Sequence, residues 1–171
     1  MKSIMKNILM LVSFVAFVTA CASLSLADGK KSYEDKVKVN DETIGVIAGV
    51  INYICPKLVD ASTNICNPKD PVGSAVGIQK QMGDIEDLDM LDREELADEL
   101  AEKKIIHVEA SMQFYDAVEQ FKLHYPLREK AKKAAEQGDW SSAAVSEEMA
   151  WQYLVKTASR GIFAKKMVDG E

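Results

Sequence analysis

The sequence predicts an all-α fold, a small helical bundle of four to five helices with one long central helix and a C-terminal αα-hairpin. Three observations predict it. Apolar residues recur at steps of three, four or seven along the second half of the chain. Helix caps stand where such stripes begin, at Asp92 and Asp139. The apolar segment from about Asp41 to Asp60 runs without a turn signal, far beyond the usual length of a strand.

Charge and length bound the rest. The chain has 171 residues, with 21 basic against 27 acidic side chains. Removing residues 1–20 takes away Lys2 and Lys6 and no acid, which leaves a net charge of about −8. That balance argues against nucleic acid as a partner. The expected organisation is a signal peptide over 1–20, a flexible tether over 21–40 and a single helical domain over 41–171.

The N-terminus has the order of a secretory signal: Lys2 and Lys6, the apolar run Ile8 to Val18, then small residues. That run is too short to span a bilayer. Three cuts compete, before Cys21, after Ala22 and after Ala27. Val18-Thr19-Ala20-Cys21 resembles the bacterial lipobox, although valine stands where leucine is the stronger match. The resemblance implies that the Cys21 thiol takes a diacylglycerol, cleavage then leaving Cys21 as the new N-terminus and tying the protein to a membrane by its lipid. On either alternative cut Cys21 is discarded. The stretch Ala22 to Asn40 is polar, carries Gly29 and the pair Lys30-Lys31, and reads as the tether.

Every route leaves Cys55 and Cys66, which in an oxidising compartment suggests one disulfide. Closing a loop of about a dozen residues contributes roughly 2 to 3 kcal/mol. The spacing is not Cys-x-x-Cys, and Pro56, Pro68 and Pro71 stiffen the segment, so the pair reads as structural. Without Cys-x-x-Cys-His there is no covalent haem, and no other cofactor is expected.

The elements follow in order. From Asp41 to Asp60 a helix is expected, bent at Pro56, with Gly45 and Gly49 allowing another backbone to approach closely or lining a ligand groove. Residues 62–74 form a loop by composition, a short helix follows near Val72 to Met82, and Gly83-Asp84 breaks it. Asp92 and Glu95 then make a capping box, with Leu91 and Leu96 as the hydrophobic staple. This opens the long helix, Arg93 to about Tyr125, where Glu99 and Lys103 have the favourable i, i+4 spacing. Its buried face is read through Leu96, Leu100, His107, Phe114, Val118, Phe121 and Tyr125, and Pro126 ends or kinks it. After a basic turn, Arg128 to Lys133, Gly138 closes one helix and Asp139 caps the last, which reaches about Met167. Trp151, Leu154, Val155, Ala158 and Ile162 form its stripe.

Residues Ala134-Ala135-Glu136-Gln137-Gly138-Asp139-Trp140-Ser141-Ser142-Ala143 resemble the turn between the paired helices of a tetratricopeptide repeat. The likeness covers this turn, and no second copy stands at the ~34-residue period such arrays need. It implies an αα-hairpin and no function.

Chemistry has few places to stand. His107 and His124 would point about 100° apart on one helix, and neither lies in a Glu-x-x-His or His-Glu-x-x-His motif, so no metal is expected. His107 reads as a hydrogen-bonded core residue. The acidic stretch 84–102 lacks the order and the glycine of an EF-hand, which favours a solvated face over weak divalent-cation binding. No Gly-x-Ser-x-Gly elbow is present. The sequence therefore points to a non-enzymatic exported envelope protein, lipid-anchored or periplasmic. It would bind another envelope protein as an accessory, assembly or inhibitory factor. The alternative is a periplasmic carrier of a small hydrophobic ligand, and a hydrolase built on scattered carboxylates or His107 ranks third. Gly45, Gly49, Trp140 and Trp151 are the candidate binding surface.

Overall fold

The computed structural model describes residues 26–170, with side chains from Gly29 onward. The expected signal, Cys21 and its lipid lie outside the described residues. Among the described residues there are six α-helices: α1 (Leu26–Leu58), α2 (Pro71–Gly83), α3 (Arg93–Glu102), α4 (Val108–Lys122), α5 (His124–Glu136) and α6 (Trp140–Asp169). A short 3₁₀ turn, Ala61–Thr63, follows α1. Among the described residues the one β contact is an isolated bridge between Val59 and Ile105. No described helix is long and apolar enough to cross a membrane.

Three rods make the bundle. The first is α1, the second α4 continued by α5, and the third α6, which packs against all of them. The first and last rods run parallel: Gly29 lies against Trp140, Asn40 bonds Glu147, Val50 meets Gly161, and Lys57 pairs with Asp169. The middle rod runs back along α6. Gly138, at φ 77°, closes α5, and the Asp139 side chain accepts from Ser142 N–H to start α6, so the expected hairpin forms. Helix α2 packs on α1 and α4, and α3 on α4, covering one end of the bundle.

Parallel packing follows from two stripes with the same period. Residues 33, 37, 40, 44, 47, 51, 54 and 58 of α1 alternate steps of four and three, as do 143, 147, 150, 154, 157, 161 and 164 of α6, the spacing of helices that keep one face together. Most of these side chains are buried. This corrects the expected tether, because residues 26–40 are helical and the α1 stripe begins at Tyr33 inside them.

The long central helix is also corrected. It breaks at residues 103–107, where Lys104 takes φ 59°. Ile105 N–H donates back to Leu100 C=O and Lys104 N–H to Ala101 C=O, a Schellman ending whose apolar contact joins the buried Leu100 and Ile105. Ile106 N–H then bonds Leu58 C=O, tying the break to the end of α1. His107 restarts the helix by accepting from Ala110 N–H through its side chain, so it is a half-buried N-cap and not a core residue. A second break at Leu123 separates α4 from α5, and Pro126 sits harmlessly in the first turn of α5. The expected basic turn 128–133 is helical, and Tyr125, read as buried, is 48% exposed.

On α6 the expected stripe is shifted, since Leu154 and Ala158 are buried but Trp151, Val155 and Ile162 only half-buried, while other local signals hold. The Asp92–Glu95 capping box forms, Asp70 caps α2 with Pro71 behind it, and Cys55 and Cys66 are joined, their Cα atoms 5.8 Å apart.

A polar groove between the first, fifth and sixth helices

The bundle changes character along its length. Towards the disulfide the core is aliphatic and aromatic: Ile47, Ile51, Ile54, Leu58, Ile78, Met82, Leu100, Phe114 and Leu154. Towards the α5–α6 turn the buried apolar residues are alanines, Ala131, Ala143, Ala144 and Ala150, and among them lie Asn40, His124, Ser146 and Glu147. Small side chains leave room there, and a groove of about 360 Å³ opens beside them.

Five of the described helices supply its lining. Tyr33, Val37 and Ile44 come from α1, Val72 from α2 and Phe121 from α4; α5 adds His124, Tyr125, Arg128, Glu129 and Lys132, and α6 adds Glu147. Arg128 holds the three main walls together. Its Nη1 lies 2.8 Å from Asp41 Oδ1 on α1 and its Nε 3.2 Å from Glu147 Oε2 on α6. Glu147 is 2% exposed. It also accepts from Asn40 Nδ2 at 2.5 Å, while the same amide donates to its backbone carbonyl at 3.0 Å. Among the described residues Asn40 Oδ1, though buried, has no hydrogen-bond partner. Burial alone would lower the Arg128 pKa, but Glu147 and Asp41 together outweigh it, and the guanidinium is held above its ordinary value.

His124 forms the floor beside this cluster and is 1% exposed. Its Nδ1 bonds the Phe121 carbonyl, one of the acceptors left open at the end of α4. Its ring lies between Phe121 and Tyr125, with centroids at 4.5 and 4.1 Å. Burial, and secondarily the Arg128 charge, push its pKa below 6.5 against the pull of the Phe121 carbonyl. The two groove tyrosines are raised, Tyr33 by burial and then Glu147, Tyr125 by burial and then Asp70, so both stay phenolic donors at neutral pH.

The candidate residues read from the sequence lie elsewhere. Gly45 and Gly49 are exposed, an added Cβ at either meets nothing within 4 Å among the described residues, and neither lines this groove. Trp140 is half-buried and joins helices: its ring is 6.0 Å from that of Tyr33, and Lys30 Nζ lies 5.6 Å from its centroid. Trp151 is half-buried on α6 and lines neither pocket. The cavity between α1, α4 and α6, walled by Ile47, Phe114 and Ala158, holds only about 20 Å³, space for a single water. The carboxylates of residues 84–102 are exposed. Among the described residues, no three His, Cys, Asp or Glu side chains come together as a metal site.

Sequence reasoning missed the groove because each member has a local explanation. The signal was present in pairs: Asn40 interrupts the apolar stripe of α1, Glu147 interrupts the alanine stripe of α6, and His124 and Arg128 are spaced i, i+4. No protein-family model, curated protein sequence or solved structure matches the chain.

Proposed function

We propose that this is a non-enzymatic binding protein of a bacterial cell envelope, exported by its N-terminal signal and held to a membrane through Cys21. A small amphipathic ligand enters the groove between α1, α5 and α6. One observation carries the reading: half-buried Arg128 and buried Glu147, the latter held from behind by buried Asn40, form part of the wall of a ligand-sized groove. Buried charges give a helical bundle little that aliphatic residues would not give, whereas a few fixed polar groups among apolar walls are what orients a small ligand. Val37, Ile44, Val72 and Phe121 supply the apolar part. The lining contains no serine, threonine or cysteine, so His124 has no aliphatic hydroxyl or thiol there to activate, and its two phenols, Tyr33 and Tyr125, stay protonated; this favours binding over hydrolysis.

Non-denaturing mass spectrometry of the protein taken from its native envelope tests this. A non-covalent adduct of roughly 150 to 400 Da is expected from a groove of this size, and it should be missing from Arg128→Met/Glu147→Met. Bare protein in both samples would end the ligand reading.

A second reading, an accessory, assembly or inhibitory factor that docks on another envelope protein, draws on Val145, Met149 and Phe163. These share the outer face of α6 and are 58%, 45% and 50% exposed.

A further inference from the structure

We infer that protonation of His124 opens the groove, so that the site releases its ligand in acid. The inference rests on the groove being a ligand site, and it starts from the junction of α4 and α5. Leu123 ends one helix and begins the next with no side-chain cap. Besides the Arg128 pairs one turn further on, what fastens this junction is the His124 ring, through its Nδ1 bond to the Phe121 carbonyl and its packing between Phe121 and Tyr125.

That fastening requires a neutral ring. With Nδ1–H donating to Phe121, a further proton goes to Nε2 and places a full charge on a side chain that is 1% exposed. Among the described residues no carboxylate facing the groove acts on the ring, and the one lining carboxylate without an ion pair, Glu129, stands exposed at the rim. On α5, Arg128 is a cation one turn away, and Lys132 is a cation beside Glu129 at the rim. On α6, Glu147 is already held by Arg128 and Asn40. On α1, Asp41 is held by Arg128 and Tyr33 is a neutral phenol. Helix α4 contributes Phe121, and the charge nearest α2 is Asp70, which acts on Tyr125. The protonated ring therefore gains by reaching water. The first turn of α5 swings out with it, taking Tyr125 and Arg128 off the groove wall.

The sign follows from linkage. Burial holds the closed-state pKa of His124 below 6.5, and in the opened state the ring titrates as an ordinary histidine. Between those two values the opened state binds a proton that the closed state lacks. Closure is then fully favoured above pH 6.5 and is lost as pH falls, by up to tenfold per pH unit for one proton.

The experiment needs no ligand. Amide-exchange protection factors for residues 124–132 are measured by NMR from pH 8 to 4.5, with the His124 ring signal followed in parallel and assigned through His107→Asn. Protection should fall towards tenfold per pH unit below about 6.5, without a matching fall in α1, and should be flat in His124→Phe. A ring that titrates at or above 6.5, or equal acid loss in His124→Phe, overturns the inference. Should that variant not fold, the wild-type ring titration decides alone. The ligand-loaded protein adds a separate readout: an adduct kept at both pH 7.5 and pH 5 refutes acid release while leaving the site standing. No adduct at either pH refutes the site, and the exchange data still decide whether α5 opens.

Discussion

Replacing both Arg128 and Glu147 by methionine separates what the pair does for stability from what it does for the groove. Glu147→Met alone strands a guanidinium whose side chain is 24% exposed and which keeps only Asp41. Removing one partner of a buried pair costs about 3 to 5 kcal/mol, and the surviving Asp41 contact puts this case near 3. In the double variant no charge is stranded, Asn40 Nδ2 keeps the backbone carbonyl of residue 147, and two flexible apolar side chains fill the space. Its stability should lie within about 1 kcal/mol of the parent, or above it. Urea unfolding followed by circular dichroism resolves the difference, since 3 kcal/mol moves the midpoint by roughly 1.5 M at a slope near 2 kcal/mol/M. Ligand binding should be absent from both variants. If the double variant is as unstable as the single one, the cluster is there to hold the helices, and the argument from its cost fails.

Two further predictions concern backbone positions. Gly45→Ala and Gly49→Ala should each stabilise α1 by about 0.5 to 1 kcal/mol, because both lie in open space within a helix. A gain at Gly161, whose added Cβ would sit 3.2 Å from Val50, should be smaller; thermal melts that show losses at 45 and 49 would mean that this face is covered. Lys104→Gly should stabilise by about 1 kcal/mol, since glycine takes φ 59° without strain. A lower midpoint would show that the exposed bond from Lys104 to Ser62 matters more than the strain.

What could be read from the sequence was whatever a short segment decides by itself. Asp92, Asp139 and Gly138 mark helix ends by chemistry that reaches only three residues, and each does so in the structure. The disulfide needed only parity. The break at 103–107 escaped because the apolar stripe continues across it, and its ending depends on a lysine in a left-handed conformation that its identity does not advertise. Helix α1 was cut short because residues 26–40 are polar in composition, although their period, Tyr33, Val37, Asn40, Ile44, already matched the rest. Gly45 and Gly49 were read as a contact because small residues allow close approach; allowing it does not bring a partner. The groove was hidden for the reason that it is interesting, since its polar members come from helices far apart in the chain.

That distance sets the order in which the molecule can come together. The pairs joining α1 to α6 are 107 to 116 residues apart. No earlier segment can take the place of α6 along the whole apolar face of α1, and closing so long a loop must precede any reward from the contact. Helix α1 is made first and completed last. A chain stopped before Trp140 would keep the disulfide and the caps, and would still leave that face without its main partner. The bundle is completed by the thirty residues of α6.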